Sequence, residues 1–248
     1  MLKFDPLRIR CSAIGNIMTN ARSKTETLSK GTKKYIQELA LENIYGIRKD
    51  FTSKYTDKGN LVENEGIQLA AELMDKGFLI KNEERYRNDY LSGIPDVNTD
   101  SCLLDIKSSF DATTYPWFEK EIPNKSYYYQ LQGYMELTGK KTAYLCYCLL
   151  NTPFHMVEDE VRRAHYNAFL IDENEELRAD VEKKHIVDHI PKIKRLKVYE
   201  VHYDEETIKK IYNRIDECRE YYEECVKEIS VPENDMAYID GSQNIRHE

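Results

Sequence analysis

No apolar run in this 248-residue chain approaches the length of a membrane-spanning helix, and the opening residues Met1 to Pro6 lack the apolar core of a secretory signal. A cytoplasmic protein is therefore expected. Paired cysteines are missing too: Cys11, Cys102, Cys146, Cys148, Cys218 and Cys225 form no C-x2-C run, which argues against an iron–sulfur cluster. Four of the six lie inside apolar patterns, where a reduced thiol behaves as a small hydrophobe. There is no internal repeat and no low-complexity tract. Net positive charge is also absent: the formal charge is −8, which by itself does not point to a polyanionic partner.

What is present is a soluble composition, 41% hydrophobic and 32% charged, on a chain long enough for one sizeable core. A single domain spanning residues 1–248 is expected, with a motif-bearing core at 8–150, helices and a strand packed on it at 151–229, and a flexible tail at 230–248. The charge is unevenly spread. Residues 1–54 carry eleven Lys/Arg against five acids, so this stretch is +6 and the remainder −14. An ordinary uneven surface explains that, and so does a basic lip beside an acidic site, because a polyanion responds to the local field.

Residues 6–22 read as an extended lead-in, a Ser12 N-cap and a short helix turning Ile14, Ile17 and Met18 inward. Arg8, Arg10 and Arg22 crowd the ends of that helix, an arrangement that suits either a phosphate or plain solvation. A second helix is predicted over 31–50, ending near Gly46. A third runs from Lys58 to Lys76 with Val62, Ile67, Leu69, Ala70, Leu73 and Met74 on its apolar face. Glu63 falls at helical spacing with Ile67, Ala70 and Met74. A carboxylate on that side needs a partner such as a metal, unless it reaches solvent at the edge of the stripe.

The chemistry concentrates in residues 91–109. A turn carries Asp96, and a short apolar strand (Cys102, Leu103, Leu104, Ile106) brings in Asp105 and Lys107. Residues i and i+2 of a strand share a face, so Asp105 and Lys107 project together, away from the side that Leu104 and Ile106 bury. Two carboxylates side by side repel, and a hard divalent cation such as Mg2+ relieves that repulsion. A lysine beside them can orient water or offset charge building on a phosphate.

Two strands are expected between Phe78 and Val97, and an aromatic loop from Phe110 to Lys125 whose Trp117 either stacks a base or packs down onto the domain. A helix at 125–138, capped by Ser126 and closed by Gly139, puts Gln130 and Tyr134 one turn apart on one face. A strand follows at 141–150. Helices are expected at 158–168 and 173–184, a strand from Leu196 to Tyr203, and a last helix at 204–229. That helix has a stripe of Ile208, Ile211, Ile215, Cys218, Tyr222, Cys225 and Ile229, for packing on the sheet or on a neighbouring subunit. His185 and His189, four apart, lack a third ligand nearby and read as solvated.

The ordered set Gly59-x-x-x-Glu63-Asn64, Pro95-Asp96, Asp105-Ile106-Lys107, and Gln130-x-Gln132 with Tyr134 resembles the lambda-type phage exonucleases. These are the YqaJ-like viral recombinases of the PD-(D/E)XK nuclease superfamily. Ser12 and Arg22, ten residues apart, resemble that group's pocket for a DNA 5′-phosphate. The group's further pocket arginine falls here on Asp5, with Arg8 or Arg10 as substitutes, and Asp105 stands where the lambda-type protein has Glu. The resemblance implies an α/β, restriction-endonuclease-like core, a mixed central sheet flanked by helices. It implies Asp96, Asp105 and the Ile106 carbonyl as ligands of one Mg2+, and Glu63 as a ligand of a second or the acid holding its water, with Mn2+ as a substitute. Lys107 would position the attacking water, Gln130 would orient Lys107 or that water, and Tyr134 would support the helix. The implied activity is 5′→3′ digestion of one strand of linear duplex DNA in phage recombination inside a bacterial host, as a homotrimer feeding a single-strand annealing protein. Other readings are a RecB- or Cas4-like single-strand exonuclease, a PD-(D/E)XK endonuclease, or an inactive DNA-binding module of the same fold.

Overall fold

A computed structural model describes residues 6–49 and 53–230. The expected tail, apart from Ser230, and Asp5 lie outside the described residues. The described residues divide into two compact units, one holding 6–7, 16–49 and 213–230, the other holding 8–15 and 53–212. Among the described residues no helix is long and apolar enough to cross a membrane.

In the larger unit, β1 (Ile9–Arg10) pairs parallel with β3 (Leu91–Gly93), which pairs antiparallel with β2 (Tyr86–Arg87). A second, mixed sheet has the order β4 (Val97–Asn98), β5 (Leu103–Ser108), β6 (Thr142–Cys148) and β7 (Leu196–His202). Its centre is the parallel β5–β6 pair, with Asp105 opposite Leu145 and Lys107 opposite Tyr147. The region from Phe78 to Val97 thus holds the two short strands β2 and β3 and the start of β4; residues 78–85 are irregular.

Helix α3 (Lys54–Leu73) starts four residues earlier than the hydrophobic spacing indicates, because Ser53 caps it by accepting from Thr56 N–H. Its Val62, Ile67, Leu69 and Ala70 pack on Leu104, Ile106, Cys146 and Cys148. Gly66 lets the helix come this close: a Cβ there would sit 2.6 Å from Ile106 Cγ2. The opposite face of β5 is not solvated either. Helix α4 (Lys125–Thr138) meets it, so Asp105, on the α4 side, is buried. With both faces covered, the strand reads as an apolar run interrupted by Asp105 and Lys107 and ending at Ser108.

Two caps differ from expectation. Asn124, not Ser126, caps α4, its Oδ1 accepting from Ser126 N–H, while Gly139 closes the helix at φ 73° as expected. Ser12 is not an N-cap: it lies inside a 3-10 turn, Cys11–Ala13, whose cap position is Arg10, and α1 is only Ile14–Ile17. This N-terminal turn abuts α4. A Cβ on Gly133 would strike Ile14 Cδ1 and Cys11 Sγ at 2.7 and 2.9 Å, and one on Gly15 would strike Ser126 Oγ at 2.2 Å. Helices α5 (Phe154–Asn167) and α6 (Glu175–His185) pair through Val157, Val161 and Val181.

In the smaller unit, α2 (Lys30–Tyr45) is capped by Ser29 and ends at Gly46, φ 67°. It is joined to α7 (Glu205–Ile229) by hydrogen bonds from Gln37 to the Tyr221 hydroxyl, 2.8 Å, and from Asn43 to the Tyr222 hydroxyl, 3.0 Å. From Ile208 to Cys225 the stripe of α7 is buried, and all six cysteines are buried free thiols.

Candidate active site

The pleat of β5 aims Asp105 and Lys107 toward α4, and the bend between β3 and β4 brings Asp96 alongside. Asp96 Oδ2 accepts from the Ile106 backbone N–H at 2.7 Å, a bond that ties the turn to the strand. Asp105 is 1% exposed. Its Oδ1 accepts from Gln130 Nε2 at 2.9 Å, and the same amide donates to the Tyr134 hydroxyl, also 2.9 Å. The expected Gln130–Tyr134 face on α4 is therefore present, but Gln130 holds Asp105 rather than Lys107. Asp105 Oδ2 is buried without a hydrogen bond of acceptable angle, and Lys107 Nζ lies 2.5 Å from it as an ion-pair partner. The Lys107 ammonium also sits 5.2 Å from the Tyr127 ring centroid.

This crowding has electrostatic consequences. Burial first, then the Asp105 charge, pushes the Asp96 carboxyl up from 3.8 to about 7, against the pull of Lys107 and the Ile106 N–H. For Lys107, burial works to lower the ammonium, but Asp105 and Asp96 hold it above its ordinary value. Burial and the nearby Asp105 likewise raise the Tyr134 phenol.

Glu63 faces the same space from α3, half-buried, with Lys81 Nζ 2.5 Å from its Oε2. Among the described residues no three His, Cys, Asp or Glu side chains converge as a ready cage. The acids form one close pair, Asp96 with Asp105, while Glu63 is held by a lysine. The donor set nevertheless suits a hard cation. It offers carboxylate oxygens, one of them buried with no hydrogen bond, and a carboxyl whose charge is disfavoured by burial and by the neighbouring Asp105.

A cavity of about 620 Å3 gathers these groups: Ser12, Glu63, Asp96, Ile106, Lys107 and Gln130 all line it. Gly59 lines it too, facing open space where a Cβ would meet nothing within 4 Å. Tyr55, Phe110, Tyr127 and Tyr147 supply aromatic walls. Of the arginines near Ser12, Arg10 is exposed at the end of β1, while Arg8 donates through Nε to the Asn88 carbonyl at 3.0 Å. Arg22 is exposed in the smaller unit, on the loop before α2. Trp117 packs down: its indole N–H donates to the Ala112 carbonyl, 2.7 Å, and its ring meets Tyr115 edge-on. His185 is not solvated but buried, with Nδ1 3.0 Å from the Thr152 hydroxyl, whereas His189 is exposed, so the two do not form a ligand pair.

The sequence reading passed over Lys58. It is fully buried and donates to three main-chain carbonyls, Ser109 at 2.8 Å, Phe110 at 2.9 Å and Leu150 at 2.8 Å, which locks α3 to the ends of β5 and β6. Burial pushes its ammonium down to about 8, against the charges of Asp111 and Glu65. A signal was available, since Lys58 lies at i, i+4, i+8 with Val62 and Gly66 on the buried stripe. Lys81 offered no such signal.

A mixed sheet flanked by helices, with an acid pair and a lysine at its central strand, defines the restriction-endonuclease-like fold. Among solved structures the chain is similar to a phage-related exonuclease from Haemophilus somnus 129PT, at 27% identity and TM-score 0.75, over 91% of this chain and 97% of that one. It also shares its fold with the alkaline exonuclease LHK-Exo from Laribacter hongkongensis, at 14% identity and TM-score 0.60, over 94% of each chain. The same enzyme in complex with dAMP aligns with TM-score 0.59. No protein-family model and no curated protein matches. The structural likeness is thus to the phage-type exonucleases that the motif order resembles.

Proposed function

We propose that this chain is a metal-dependent DNA exonuclease that hydrolyses phosphodiester bonds from the 5′ end of one strand of linear duplex DNA. The observation that carries the reading is the single cavity lined by Ser12, Glu63, Asp96, Ile106, Lys107 and Gln130. The similarity to a phage-related exonuclease over nearly the whole of both chains supports it. Asp96, Asp105, the Ile106 carbonyl and Glu63 would hold Mg2+, or Mn2+ in its place, which supplies Lewis-acid neutralisation of the charge that builds on a phosphate during hydrolysis.

The chain's own residues have distinct tasks in this reading. Lys107, fixed between Asp105 and the Tyr127 ring, orients the attacking water and faces the developing negative charge. Gln130 immobilises Asp105 and takes its own support from Tyr134. Ser12, with Arg10 and Arg8 nearby on the chain, receives the terminal 5′-phosphate; a part for Arg22 rests on the resemblance alone. A place in phage-type recombination, with a single-strand annealing protein taking the resected strand and three subunits forming a ring, rests on the resemblance alone.

The test is digestion of a linear duplex labelled on one strand, with Mg2+ or EDTA, comparing 5′-phosphate and 5′-hydroxyl ends and including a closed circle. Metal-dependent loss from phosphorylated 5′ ends with the circle intact is the expected result. Cutting of the circle would make the protein an endonuclease with the same site. No cutting with any divalent ion would leave a DNA-binding module.

A further inference from the structure

Lys81 belongs to the irregular stretch between α3 and β2, yet its position is closely fixed. Its neighbour Asn82 donates through its backbone N–H to the Asp96 carbonyl at 2.8 Å and through its side-chain amide to the Pro95 carbonyl at 3.0 Å. The segment is therefore strapped to the turn that carries Asp96. From there the Lys81 ammonium reaches Glu63 Oε2 at 2.5 Å, and this contact raises it above an ordinary lysine. The side chain stays 43% exposed, so an alternative place in solvent is open to it.

We propose that Lys81 is a positioning residue that holds Glu63 over the cavity until a divalent cation takes its place, so that cation binding on the Glu63 side is an exchange of ammonium for metal. The inference rests on Glu63 facing a bound cation, as read above. The physical basis is simple. A carboxylate oxygen cannot give its full charge to an ammonium at 2.5 Å and to a dication as well, so the two compete. Asp105 Oδ2 meets Lys107 at the same 2.5 Å, but Lys107 is 23% exposed against 43% for Lys81, so the ammonium with a ready place in solvent is the one on the Glu63 side.

The experiment is calorimetric titration of the full-length chain with Mn2+ in the absence of DNA, for wild type, Lys81→Met, Lys81→Arg and Glu63→Gln. Two binding events are expected in the wild type, and Glu63→Gln should remove the weaker. Lys81→Met should tighten that weaker event by about fivefold, the scale of a partly exposed ion pair, and leave the stronger one unchanged. Lys81→Arg restores the competing cation and should titrate like wild type. Unchanged or weakened Mn2+ binding in Lys81→Met, with the weaker event still lost in Glu63→Gln, would overturn the role of Lys81. Both events surviving in Glu63→Gln would instead overturn the placement of a cation at Glu63. An absence of Mn2+ binding in the wild type would overturn the metal reading of the whole site.

Discussion

The two sides of the cavity are built differently. On one side Asp105 sits buried on β5 and Asp96 half-buried on the bend before β4, fastened by Gln130 and by the Ile106 N–H respectively. On the other, Glu63 stands on a helix, half-buried, and its charge is met by a lysine from an irregular segment. Neither acid can move without breaking the hydrogen bond that fixes it, so a cation or a proton at the pair would relieve their repulsion. Glu63 has a partly exposed ammonium beside it as counter-ion and stores little. In the proposed reading the rigid side would fix where hydrolysis occurs, and the adjustable side would respond to what is bound.

The largest expected effect breaks the rigid side outright. Asp105→Ala or Lys107→Ala should lower the rate of duplex digestion by about a thousandfold, with duplex affinity in EDTA largely kept, while Glu63→Gln should cost clearly less. Rates from the labelled duplex set beside a filter-binding assay would check this, and wild-type hydrolysis in the first two variants would remove the site assignment.

Lys58→Met addresses the scaffold that keeps the two sides at a fixed separation. It strips three buried carbonyls of their shared donor, so a loss of about 4 kcal/mol is expected, read from the midpoint of urea unfolding. A loss no larger than that of a surface lysine would mean the three carbonyls find other partners.

A third prediction concerns pH in the absence of metal. The Asp96 carboxyl titrates near 7 in the folded chain but at the ordinary 3.8 when unfolded, so between these values the folded state binds more protons. Stability contributed by this group should therefore be greatest at low pH and fall by a few kcal/mol as pH rises toward 7. Thermal unfolding in EDTA across that range should show the decline, and Asp96→Asn should flatten it. A wild-type slope unchanged by Asp96→Asn would show that the Asp96–Asp105 pair stores no repulsion.

Much of the site was legible because it depends on short-range periodicity. Asp105 and Lys107 share a face because strand side chains alternate, and Gln130 and Tyr134 share one because a helix turns every 3.6 residues. The caps were readable as chemistry but not as position: Asn124 and Ser126 are both competent, and only the path of the chain into α4 selects Asn124. Ser12 was placed in the cavity's neighbourhood by motif, yet its position inside a 3-10 turn follows from how tightly Cys11 and Ile14 pack against Gly133.

The sequence by itself determined the order of acids, lysine and glutamine and the faces they occupy, since each of those relations spans only a few residues of regular backbone. The tertiary structure decided the partners. Lys58 finds carbonyls 51, 52 and 92 positions away, and Glu63 is met by a lysine 18 positions on. Asp105 is buried rather than solvated because α4, 25 positions further along, covers its strand. Contacts at such separations follow from how sheets and helices close on one another, and no local period in the chain records that.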